Sequence, residues 1–95
     1  MDNKMISLTQ KIADQLAAEL GVLILKKDRV LVLNHLMVNP QFIGHKDELA
    51  AELVNRAVAL AKKQSLKIWP LGPLARHAFF KRADSAAWLY HKEDK

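Results

Sequence analysis

From Met5 to Leu20 the apolar residues Met5, Leu8, Ile12, Leu16 and Leu20 recur at spacings of three and four, the period of an amphipathic helix. The rhythm then changes. Val22-Leu23-Ile24-Leu25 and Val30-Leu31-Val32-Leu33 are unbroken apolar runs held apart by Lys26-Lys27-Asp28-Arg29, a charged tetrapeptide that stays in water, and together they predict a β-hairpin. The second strand is expected to continue through Asn34 and His35 to Val38 and to stop at Asn39-Pro40, because Pro40 has no N–H for a ladder. From Asp47 to Gln64, Leu49, Leu53, Ala57 and Ala61 repeat at i+4 beside Ala50, Val54 and Val58, while Glu52, Arg56, Lys62 and Lys63 fall on other faces, so the spacing predicts a helix. Asp47 and Glu48 at its start and Lys62 and Lys63 at its end have the order that a helix dipole favours. Leu66-Lys67-Ile68-Trp69 reads as a short strand ended by Pro70, and Gly72-Pro73 opens a second, shorter helix running to about Arg82. In the tail from Asp84 to Lys95, Ala86-Ala87-Trp88-Leu89-Tyr90 is expected to pack back as a short strand or turn before a charged, frayed end.

With 95 residues, 51% of them hydrophobic, the chain suits one domain over residues 1–95 with an ordinary core. The absence of cysteine excludes a disulfide framework, a thiolate zinc site and a cysteine nucleophile, and makes the cytoplasm the default compartment. No apolar run approaches the ~18 residues of a membrane span, and Met1-Asp2-Asn3-Lys4 does not resemble a signal peptide, so no membrane partner is expected. Charge is lopsided: basic and acidic residues balance up to Ala59, and the whole net +5 lies from Leu60 onward. That imbalance suits a phosphate-bearing ligand, a nucleic acid or another polyanion. It equally suits an ordinary solvated surface. His35, His45, His77 and His91 share no metal-ligand spacing, and Ser7, Ser65 and Ser85 lack the glycines of a nucleophile elbow. Phe79, Phe80, Trp69 and Trp88 fit core positions better than base-stacking ones, and Lys81 and Arg82 read as a solvated face.

The order of hairpin, long strand, helix, short strand and proline-flanked helix, with three short motifs, resembles the small single-domain branch of the GNAT superfamily of N-acetyltransferases. Leu33-Asn34-His35-Leu36-Met37-Val38 resembles that branch's I-D-H-T-x-V strand, Leu53 through Ile68 its helix and following strand, and Pro70-Leu71-Gly72-Pro73-Leu74-Ala75-Arg76-His77 its P-x-C-P motif. The likeness spans roughly residues 18–92. It implies an α+β fold with an antiparallel-rich sheet, a β-hairpin, a central helix and a second shorter C-terminal helix. It also implies that residues 5–20 form a strand and turn, against the helix their periodicity suggests; no strand former but Ile12 stands between Lys11 and Ala18.

What the resemblance implies about function is acetyl-CoA or CoA as ligand and acyl transfer to an amine whose identity the sequence leaves open. Carried over residue by residue, it makes His35 the candidate catalytic base, and Met37, Val38, Asn39, Gly44, His45, Lys46, Ala50, Gly72 and Arg76 candidate coenzyme-binding positions. Arg76 is the one suited to neutralise a phosphate. Two departures bear on this. Where the family has a glycine-rich loop whose bare N–H groups hold the pyrophosphate, this chain has Phe42-Ile43-Gly44-His45-Lys46-Asp47-Glu48, a loop expected to be about two residues longer and to turn two carboxylates toward an anion. Gly72 stands where the branch has its cysteine, and glycine is no nucleophile. Activity is therefore expected to be weak or lost. The alternative is a non-catalytic module on the same scaffold, using the basic C-terminal third for a polyanion or protein partner.

Overall fold

The computed structural model describes residues 3–91; the charged end beyond His91, expected to fray, lies outside them. The order of elements is β1 (Lys4–Ile12), β2 (Gln15–Leu25), β3 (Val30–Val38), a 3-10 turn (Pro40–His45), α1 (Lys46–Gln64), β4 (Lys67–Pro70), α2 (Pro73–Phe80) and α3 (Ser85–Trp88). One mixed sheet runs β1-β2-β3-β4, with β3 and β4 parallel and the other pairs antiparallel. The α+β expectation holds at this level.

Residues 4–12 are strand, so the helical period of the first segment is overridden. Alternation at period two coexists there with the i+3 spacing: Ile6, Leu8 and Ile12 turn to the packed face, while Met5, Ser7, Thr9 and Lys11 are exposed. A two-residue turn at Ala13-Asp14, both with positive φ (50° and 66°), returns the chain as β2. Such a turn matches the right-handed twist of the flanking strands.

The hairpin of β2 and β3 turns where expected and β3 ends at Val38 as expected, but β2 begins at Gln15, well before Val22; the β2 run alternates in burial, whereas Val30, Leu31, Val32 and Leu33 are all buried. Leu31 and Leu33 join the helix-side core with Leu20, Val22 and Ile24; Val32 lies on the opposite face in register with Leu23 and Trp69. Against the packed face α1 lays Leu49, Leu53, Val54, Ala57, Val58 and Ala61, and α2 adds Ala75, Ala78 and Phe79. Burial of this order, at about 25 cal/mol per Å², is the main term holding the layers together. Pro73 opens α2 and Ser65, at φ 59°, ends α1, its N–H and that of Leu66 closing on the carbonyls of Lys62 and Ala61.

The tail corrects one expectation. Arg82 is half-buried and paired, not a solvated cation: it donates to Asp84 at 2.8 and 3.0 Å and to Asn55, and Lys62 reaches Asp84 at 2.9 Å. Of the apolar patch expected to form a short strand or turn, Ala86, Ala87 and Trp88 are helical in α3; beyond them Tyr90 N–H donates to Ile68 C=O at 2.7 Å, so only Leu89 and Tyr90 flank the outer edge of β4. Phe79 is core, whereas Trp69 and Phe80 remain about 40% exposed, Trp69 packing on Tyr90 at 5.6 Å between ring centroids.

Candidate functional site

The site begins with one extra residue. Gly21 pairs with His35 and Val22 with Leu33, so Asn34 has no partner on β2 and bulges out of the ladder. Pairing of β3 with β4 ends at the same place: Val30 to Leu33 match Lys67 to Pro70, and the last bonds run from the N–H groups of Leu71 and Gly72 to Leu33 C=O. Beyond it β4 ends, the chain turns through Leu71 and Gly72 into α2, and β3 runs on without a partner on that side among the described residues, leaving a gap. The bulge also resets which backbone groups point where. Asn39 N–H donates to Ala17 C=O at 2.8 Å, which by alternation turns the peptide groups of His35 and Met37 toward β2 and those of Leu36 and Val38 toward the gap.

Into this gap face Asn34 C=O and Leu36 N–H, 3.3 and 3.9 Å from where a Cβ on Gly72 would stand. Gly72 itself has φ −72° and ψ 144°, ordinary extended backbone. Its missing side chain therefore serves space and not conformation. A cleft of about 750 Å³ opens here, floored by His35 and Leu36, walled on one side by Lys46 and Asp47 at the start of α1 and on the other by Gly72, Pro73, Leu74 and His77 of α2. The volume lies in the range of small-molecule sites.

His35, Lys46 and Gly72 are the expected site residues that the structure brings together in this cleft. His35 is exposed, not a core histidine, and its side chain makes no hydrogen bond among the described residues; with Leu36 in the core, that side chain rises on the helix-free face. The other expected positions lie elsewhere. Met37, Val38 and Asn39 border a separate groove with Leu16, Glu19 and Pro40. Asn39 is committed to the backbone, its Nδ2 donating to Leu16 C=O at 2.9 Å and its Oδ1 accepting from Gln41 N–H at 3.0 Å. Ala50 is 1% exposed, at the base of a hollow between α1 and α2. Arg76 stands on the outer face of α2 over the Phe80 ring, 5.3 Å from its centroid.

The expected loop is also different in kind. Residues 40–45 wind into a 3-10 turn that leads directly into α1, Gly44 faces open space, and no described glycine has positive φ. His45 Nδ1 lies 3.3 Å from Glu48 Oε1, which draws Glu48 back toward the turn, and Asp47 is the carboxylate left on the cleft. Sequence reasoning missed His77, which borders this cleft and both hollows beside it. Its place one turn after Pro73 and Leu74 was the available signal. In comparisons with known proteins, no family model matches the chain and no curated protein matches it either.

Proposed function

We propose that the protein binds acetyl-CoA or CoA in the cleft between β3 and the first turns of α1 and α2, on the plan of a divergent GNAT-like N-acetyltransferase. The observation that carries this reading is the end of β4 at Pro70, level with Leu33, which leaves Asn34 C=O and Leu36 N–H on an edge of β3 that no strand covers among the described residues. An extended arm bearing amides, such as pantetheine, completes such an edge as an added strand does. For the phosphate end the fit is poorer. Lys46 at the start of α1 offers a cation and His77 of α2 a ring nitrogen across the cleft, but Asp47 beside Lys46 opposes an anion by about 0.3–1 kcal/mol. Affinity nearer millimolar than micromolar is expected, about −4 against −8 kcal/mol.

In acyl transfer on this scaffold Gly72 supplies no nucleophile, so an amine would attack the thioester carbonyl directly, the C–S bond would break, and the coenzyme would leave as its thiol; His35, which borders the cleft, is the candidate to carry the proton from the amine to the departing sulfur. Asn34 beside it provides no carboxylate to orient the ring, in keeping with weak activity. Titrating CoA and acetyl-CoA into the protein while following amide chemical shifts tests the reading. Shifts at 34–38, 46–50 and 72–77 are expected; no shift there at 10 mM ligand ends it.

A second reading has its own observation. Arg76, His77, Lys81 and Phe80 border a shallow hollow of about 630 Å³ on the outside of α2, suited to a polyanion. Shifts confined to that hollow, abolished by ~0.3 M salt, would favour the non-catalytic module.

A further inference from the structure

The groove on the other face of the sheet has a different chemistry from the cleft. It lies where β2 begins and β3 ends, encloses about 480 Å³, and is bordered by Leu16, Ala17, Met37, Val38 and Pro40 around one carboxylate, Glu19. Met37 and Leu16 are 52% and 45% exposed, so its lining is apolar and open. Glu19 and Met37 are cross-strand partners, and because Ala18, Leu20 and Leu36 belong to the core, both side chains project on the helix-free face.

The Glu19 side chain is half-buried and makes no ion pair or hydrogen bond among the described residues; its other cross-strand neighbour is the uncharged Thr9, and Lys11, exposed on β1 across from Leu16, does not pair with it. A carboxylate bordered by apolar side chains offers a cation with an apolar body both charge pairing and apolar contact. The walls are fixed in advance, since Asn39 ties Leu16, Ala17 and Gln41 together through three hydrogen bonds of 2.8–3.0 Å. A preformed apolar groove with one unmatched negative charge selects a cation with an apolar body and rejects anions. His35 stands on the same face, one side-chain row closer to the bulge, about 7 Å along the strand.

The geometry points to this groove as a binding site for an aliphatic primary amine, its ammonium on Glu19 and its chain along Met37 and Leu16. That the amine is the acyl acceptor rests on the acyl-CoA reading above; that the groove holds an alkylammonium does not.

The probes are hexylammonium, 1-hexanol and hexanoate, each titrated without coenzyme into the wild-type protein, Glu19→Gln and Met37→Lys while amide shifts are followed. Saturable shifts from hexylammonium at 16–19 and 37–39 are expected, at least fivefold tighter than hexanol, with none from hexanoate. Glu19→Gln, nearly isosteric, should abolish the preference for the amine over the alcohol. Met37→Lys places a cation beside Glu19 and should abolish amine binding while leaving the rest of the spectrum in place. Equal affinity for amine and alcohol, or an unchanged preference in Glu19→Gln, overturns the assignment. Amine shifts in the groove without CoA shifts in the cleft would keep the amine site and remove the acyl-transfer reading; CoA shifts without amine shifts would do the reverse.

Discussion

Two single residues show how local conformation and open space act separately. Ala13 holds φ 50°, a region that costs an L-residue with a Cβ about 1–2 kcal/mol and costs glycine nothing. Ala13→Gly is expected to stabilise the fold by about 0.5–1 kcal/mol after the entropic cost of glycine, raising the melting temperature by a few degrees in a thermal scan. Gly72 is the opposite case. Its backbone suits any residue, and only the 3.3 Å approach of Asn34 C=O restrains a side chain. Gly72→Val should therefore fold, melt within a few degrees of wild type, and lose CoA-induced shifts by at least tenfold, because its methyls occupy the gap. Retained CoA shifts in the folded variant would remove Gly72 from the site.

At the scale of elements, the Asp84 cluster joins the C-terminal end of α1 to the segment between α2 and α3. Hydrogen bonds from Arg82 and then Lys62 hold the Asp84 carboxyl far below the usual carboxylate range, and Asp84 in turn raises the Arg82 guanidinium. A carboxyl depressed in the folded state stabilises it above the unfolded value near ~4, and that contribution disappears as pH falls toward the folded value. Asp84→Asn is thus expected to lower denaturant midpoints at pH 7, with the difference from wild type shrinking in strongly acid solution. A constant difference across that range would show that packing, and not charge, is lost. The pairs are partly exposed, so the effect at pH 7 is modest. Such pairing was invisible in the sequence, where Arg82 and Asp84 are two charges among many. The hairpin, β3 up to Pro40, α1 and α2 were legible because runs, prolines and i+4 spacing act locally. The first strand was not, because its apolar spacing satisfies two periods and only pairing with β2 chooses between them.

Across the whole molecule, the site is a consequence of register more than of composition. His35 was legible as a candidate from its strand motif, whereas the cleft arises from the unmatched Asn34, which no pattern of apolar residues announces. The ten expected site positions scatter over several surfaces because the resemblance supplied them in sequence order, while the bulge sets which face His35, Met37 and Val38 meet and the helices place the others. Beyond the bulge, β3 also acquires two kinds of amide. Those of His35 and Met37 face β2, and those of Leu36 and Val38 face the gap, so hydrogen–deuterium exchange should alternate along the strand, slow at 35 and 37 and orders of magnitude faster at 36 and 38. Uniform protection from 35 to 38 would mean that the gap is closed. An interior strand with loop-like amides at every second residue is its own reporter: whatever settles along it announces its presence as lost exchange at Leu36 and Val38, with no label on the ligand and no chemistry required.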